Sequence, residues 1–142
     1  TNGYRVEVDG VVIAYISDHQ QPVDGTDHIA EGALELCDGA DLVIHDAQFV
    51  PADLARKGDW GHCTVDYAVH VAATAGERLA LFHHDPERDD DTVDALLVGA
   101  REMGAARGLD EVFAAAERTT VALSPGAPVA DAARRVATSA GR

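Results

Sequence analysis

A chain of 142 residues is long enough to bury one sizeable core, and 46% apolar residues argue for a globular chain over a disordered one. Eleven Lys and Arg against 25 Asp and Glu leave a formal charge of −14, which disfavours long nucleic acid, whose affinity rests on cationic contacts to phosphate. It leaves a small anionic substrate open, because bound metal ions invert the local field.

No apolar run approaches the ~20 residues of a membrane span. No basic-plus-apolar leader is visible. The cysteines, Cys37 and Cys63, fit a reduced, cytoplasmic protein better than a disulfide framework. The chain opens on Thr1-Asn2-Gly3 without Met, which reads as a piece of a longer protein.

Residues 4–8 and 11–16 are apolar-rich runs joined by Asp9-Gly10, a hairpin signal. The second run, Val11 to Ile16, is continuous, which predicts burial on both faces. Ser17-Asp18-His19 follow it, then a polar loop to about Asp27. Ile29, Ala30, Ala33, Leu34 and Cys37 keep helical spacing, and Gly39 can stop the helix. Leu42-Val43-Ile44 is a short strand followed by His45-Asp46. A loop with Pro51, Gly58 and Gly61 leads to Thr64, a plausible N-cap. Val65, Ala68, Val69, Ala72 and Ala73 then form one helical face, ended by Gly76. Leu79 to Phe82 is a third buried strand, followed by His83-His84-Asp85-Pro86. Asp89, Asp90 and Asp91 precede a long helix, expected to be capped at Thr92, with Val93, Leu96, Leu97, Ala100 and Met103 inward and Gly108 at its close. A late strand is expected over Thr119–Leu123, a short helix from Val129, and a frayed tail over Thr138–Arg142. Strands alternating with helices predict an α/β layer structure in one domain spanning 1–142.

Ligands of open α/β sheets bind beyond the carboxyl ends of the strands. A His/Asp group stands there three times: Asp18-His19, His45-Asp46 and His83-His84-Asp85. One such residue is usually a turn former or a cap, but three in one sheet suit a divalent metal with N/O ligands, such as zinc, manganese or iron. The cysteines are not spaced as a thiolate site. His19 and His28 default to loop or cap, and His70 to structure. Trp60 either lines the site or packs its own loop.

The order Asp18, then His45-Asp46-Ala47-Gln48-Phe49, then Gly61-His62-Cys63-Thr64, then Leu81-Phe82-His83-His84-Asp85-Pro86 resembles the C-terminal half of metallo-β-lactamase-fold hydrolases. It looks closest to the branch of ribonuclease Z-like and cyclic-phosphodiesterase-like enzymes. The resemblance spans about residues 3–123. It implies the second half of an αβ/βα sandwich, a mixed β-sheet flanked by helices. It also implies two divalent metal ions, zinc or else manganese or iron, and hydrolysis of a small phosphodiester through a metal-activated hydroxide. A lactone, thioester or other acyl ester is the alternative substrate class.

By the same resemblance, Asp18 matches the aspartate that bridges the metals, and His83 the last ligand histidine. His62 approaches the scissile group, while His45-Asp46 matches a pair that either supports the ligands from behind or transfers protons. Beside the resemblance, His84, Asp85 and His19 are candidates to stand behind the ligands, with a core histidine, a turn former before Pro86 and a loop residue as the respective alternatives. Asp46 occupies a place where Glu is common, and Cys63 one where Ser is common. The family's His-x-His-x-Asp-His motif is absent from these 142 residues. The implied partner is therefore a missing N-terminal half or a second chain, or the chain serves as a non-catalytic module. Isolated, it is expected to expose one sheet face and to dimerise or aggregate.

Overall fold

The computed structural model describes residues 2–124. Strands β1 (Tyr4–Val8) and β2 (Val11–Ile16) form the antiparallel hairpin read from Asp9-Gly10. Both turn residues have positive φ, 52° and 80°, which a tight two-residue turn of this hand requires. Three further strands, β3 (Leu42–Asp46), β4 (Arg78–Phe82) and β5 (Glu111–Ala114), add in parallel, in the order β1-β2-β3-β4-β5.

Parallel neighbours need crossovers, and helices supply them: α1 (Glu31–Cys37), α3 (Val65–Ala75) and α4 (Asp90–Ala106). A 3₁₀ turn, Pro51–Asp53, and a short helix α2 (Leu54–Lys57) interrupt the loop after β3. The Thr64 hydroxyl caps α3 by accepting from the Tyr67 N–H, as the spacing predicted. The cap of α4 is Asp89, whose carboxylate accepts from the Thr92 N–H. Thr92 is thus the partner of the cap and not the cap itself.

Register shows where the core lies. Ala14, Val43, Leu79 and Val112 stand side by side across β2 to β5, all at most 4% exposed, on the face that receives the helices. The buried side of α3, including Val65, Ala68, Val69 and Ala72, packs on this row. Each buried aliphatic side chain there contributes roughly 1.5–3 kcal/mol. Two glycines permit the close approach: a Cβ at Gly76 would stand 2.6 Å from Val43, and one at Gly104 would stand 2.5 Å from Val112.

The other face follows the alternate row, Tyr4, Tyr15, Ile44, Ala80 and Phe113. It belongs to no helix-packed core, and on it Tyr4, Val6 and Val8 are 57%, 49% and 56% exposed. The expectation that β2 is buried on both faces therefore needs correcting. Ala14 and Ile16 are buried, while Ile13 and Tyr15 on the alternate face are only half-buried. Val11, Leu42 and Ala80 on that alternate face are nonetheless buried, so the described residues cover it only in part.

The last strand was also misplaced. Thr119–Leu123 has no strand structure, and the fifth strand is Glu111–Ala114. Among the described residues no helix is long and apolar enough to cross a membrane. The helix expected from Val129 and the tail Thr138–Arg142 lie outside the described residues.

Candidate metal centre

Two strand ends turn in the same unusual way. Asp18, just past β2, has φ 50°, and His83, just past β4, has φ 56°. Non-glycine residues seldom adopt this left-handed region, and Asp and His are among those that tolerate it best. Such backbone strain gathers at functional sites. Here it brings the two side chains together: His83 Nε2 lies 3.2 Å from Asp18 Oδ1.

The end of β3 adds a third group. Side chains alternate across a strand, so His45 and Asp46 point to opposite faces. Asp46 turns toward Asp18 and His83. Its carboxylate is fully buried and accepts from His62 Nδ1–H at 2.7 Å and from the Gln48 N–H at 3.0 Å. His62 Nδ1 is also 3.8 Å from Asp18 Oδ1, and its ring stacks on that of His83 with centroids 4.9 Å apart. One donor atom from each of Asp18, Asp46, His62 and His83 lies within 4.8 Å of the other three. The cluster brings together two carboxylates and two imidazoles.

His45 turns the other way, into the helix side. It is fully buried, and burial lowers its pKa from 6.5 to about 4. It is neutral at pH 7. Its Nδ1–H donates to the Asp46 carbonyl at 2.7 Å, so its Nε2 accepts from His19 Nδ1–H at 2.9 Å. Burial also lowers the pKa of His19. The Cys63 thiol donates to the same Asp46 carbonyl at 3.0 Å, and burial pushes its pKa up, so it stays protonated.

No protein-family model matches the chain. By sequence it is similar to ribonuclease Z of Exiguobacterium sibiricum, 33% identical over 73 residues, covering 51% of this chain and 24% of that protein. It is also similar to ribonuclease Z of Bacillus cereus strain AH187, 34% identical over 80 residues, covering 56% of this chain and 26% of that one. The chain thus spans about a quarter of the length of the ribonucleases Z it matches. Among solved structures, the metallo-β-lactamase fold protein YhfI from Bacillus subtilis aligns over 80% of this chain and 40% of its own, with TM-score 0.51 and 19% identity. The chain has the fold of one half of a metallo-β-lactamase domain.

In this metallo-β-lactamase fold, four of the residues singled out from sequence converge: Asp18, Asp46, His62 and His83. The others stand apart from that cluster. His45 and His19 pair on the helix side. Asp85 makes a turn with the Glu87 N–H and an ion pair with Lys57 at 2.9 Å. These two contacts, the turn bond first, lower its pKa. His84 has its pKa lowered by burial and then by Arg88, and its Nε2 is buried without a partner among the described residues. His83 Nδ1 is likewise buried and unpartnered among the described residues. His28 and His70 serve structure, through the His28 carbonyl accepting from the Tyr67 hydroxyl and His70 Nε2 bonding the Asp27 carbonyl. Trp60 is 63% exposed, with Lys57 Nζ 5.7 Å from its ring centroid.

Sequence reasoning passed over Gln20 and Gln21, whose side-chain amides tie the Asp18 loop to the His62 loop. A pair of amides in a polar loop carries no periodic signal.

Proposed function

We propose that this chain supplies one half of the active site of a metal-dependent hydrolase, and that the intact protein cleaves a small phosphodiester. The observation that carries the reading is the convergence of Asp18 and His83, both on strained strand ends, beside an Asp46–His62 pair.

The distances fit a metal. Two ligands about 2.0–2.1 Å from one tetrahedral ion lie roughly 3.3 Å apart, and Asp18 Oδ1 and His83 Nε2 are separated by 3.2 Å. The 2.7 Å between His62 Nδ1 and Asp46 Oδ2 is instead a hydrogen-bond length. Asp18 and His83 are therefore assigned as ligands, and Asp46 with His62 as a proton-handling pair. The N/O donor set suits zinc, manganese or iron. Bound divalent ions would polarise the attacked oxygen and lower the pKa of a water molecule.

The remaining steps belong to the chain's own residues. Asp46 holds the proton of His62 on Nδ1, which orients the ring. His62 Nε2 is then the atom that gives a proton to the leaving oxygen. With two carboxylates in the cluster, bound metal charge would favour the entry of an anionic phosphodiester. An acyl ester, lactone or thioester would use the same groups.

The partly uncovered sheet face, with Tyr4, Val6 and Val8 exposed, supports the need for a second half that packs over it, in the same protein or in another chain. Free, buried Cys37 and Cys63 support a reducing compartment such as the cytoplasm. A panel of phosphodiesters and esters, assayed on full-length, metal-loaded protein, tests the reading. Hydrolysis of a phosphodiester is expected, and no turnover of either class with metals bound would refute it.

A further inference from the structure

The loop that carries His62 is held on one side by the β3 end, where the Phe49 N–H donates to the Cys63 carbonyl at 2.9 Å and Asp46 binds His62, and on the other by the Asp18 loop. Gly58 and Gly61 lie within it, Gly61 with φ +95°, and its large side chain, Trp60, is 63% exposed. Two consecutive glutamines reach it from the loop that begins at Asp18. Gln20 Nε2 donates to the Gly58 carbonyl at 2.6 Å, and Gln20 Oε1 accepts from the Gly61 N–H at 2.7 Å. Gln21 Oε1 accepts from the Thr64 N–H at 2.7 Å, and the Gln21 backbone N–H donates to the His62 carbonyl at 3.3 Å. The anchored groups at 58, 61, 62 and 64 bracket His62 on both sides. The segment that positions Asp18 therefore also positions His62, whose Nδ1 stands 3.8 Å from Asp18 Oδ1.

We propose that Gln20 and Gln21 are positioning residues that hold His62 in register with Asp18 and Asp46. The chemistry of each amide matters differently. Gln20 is used as donor and acceptor at once, which no other side chain of its length can do. Gln21 is used toward Thr64 as an acceptor, so a carboxylate can replace it. Without these bonds the glycine-containing loop gains backbone freedom, and His62 loses its fixed place beside Asp46. The inference rests on the reading of His62 as the proton-handling group.

The test uses full-length, zinc-loaded protein with bis(p-nitrophenyl) phosphate as the probe. Gln21→Met should lower kcat roughly 10- to 100-fold, with KM and zinc content little changed. Gln21→Glu should restore kcat to within about threefold, the acceptor toward Thr64 being kept. Gln20→Met and Gln20→Glu should both be impaired, since neither donates to Gly58. A second readout is independent of turnover: the downfield proton resonance of the His62 Nδ1–H bonded to Asp46 should broaden or vanish in Gln21→Met and persist in Gln21→Glu. If the wild type hydrolyses neither this probe nor any member of the phosphodiester and ester panel, the functional reading falls, while this resonance still decides the positioning role. The proposal is overturned if Gln20→Met and Gln21→Met keep both wild-type kcat and the resonance. It is equally overturned if Gln21→Glu is as impaired as Gln21→Met. Should a Met variant fail to fold, the contrast between Gln20→Glu and Gln21→Glu carries the test, equal behaviour of the two contradicting it.

Discussion

Replacing Asp46 separates its structural role from its chemical one. The carboxylate is fully buried and accepts from His62 Nδ1–H at 2.7 Å, from the Gln48 N–H at 3.0 Å and more weakly from the Cys63 N–H at 3.4 Å. Asp46→Asn keeps the shape and one acceptor oxygen for the two backbone groups. Its amide then faces His62 donor to donor, so His62 must move its proton to Nε2. The stability cost is the difference between a charged and a neutral hydrogen bond, about 1–2 kcal/mol. The catalytic cost is that of the wrong imidazole tautomer, roughly 10²- to 10⁴-fold in kcat. Asp46→Ala leaves these donors without an acceptor, at roughly 1–3 kcal/mol for each that stays buried, so about 3–5 kcal/mol in all. Urea unfolding and steady-state phosphodiester hydrolysis on full-length, metal-loaded protein read the two costs separately. An Asn variant that keeps kcat within threefold of wild type, or an Ala variant that unfolds at the wild-type urea concentration, would refute the reasoning.

Two further outcomes follow from the same structure. His45 titrates at about 4 when folded and near 6.5 when unfolded. As pH falls through that window the unfolded chain takes up a proton that the folded chain refuses, so stability falls by up to roughly 3 kcal/mol. His19 and His84 shift in the same direction. Unfolding of full-length protein at pH 7, 5.5 and 4.5 should show the decline, and His45→Gln should flatten part of it; an unchanged slope would count against the assignment. Gly104→Ala should destabilise by about 1–2 kcal/mol, because its Cβ would meet Val112 Cγ2 at 2.5 Å and the helix-propensity gain offsets only part of that clash. A Gly104→Ala, Val112→Ala double variant less impaired than the sum of the single ones would bear this out in thermal melts, and simple additivity would contradict it.

Much of this architecture could be read from local chemistry. Asp9-Gly10 specified the hairpin, Thr64 the start of α3, and the apolar runs before Asp18, His45 and His83 three strands of the sheet. What failed depended on tertiary context. Thr119–Leu123 has strand-like composition but pairs with no strand among the described residues, whereas Glu111–Ala114 is a strand because β4 offers it a parallel edge and α4 covers Val112. The site divides in the same way. Asp18 and His83 were legible as residues at strand ends, and their proximity confers new meaning through positive φ angles that no sequence pattern displays. His45 and Asp46 looked like one unit, yet strand alternation sends them to opposite faces. Asp46 joins His62, sixteen residues away, and His45 joins His19. The glutamine tethers escaped notice because their partners are backbone groups about 40 residues distant.

On the proposed function, Asp18 and His83 are metal ligands of a hydrolase and further ligands come from outside these 142 residues. Metal analysis of the full-length protein, beside Asp18→Ala and His83→Ala, tests it most directly. Two divalent ions per protein are expected in the wild type, with loss of at least one in each variant and loss of hydrolysis in both. A wild-type protein that retains no metal, or variants that keep the wild-type complement, would contradict it.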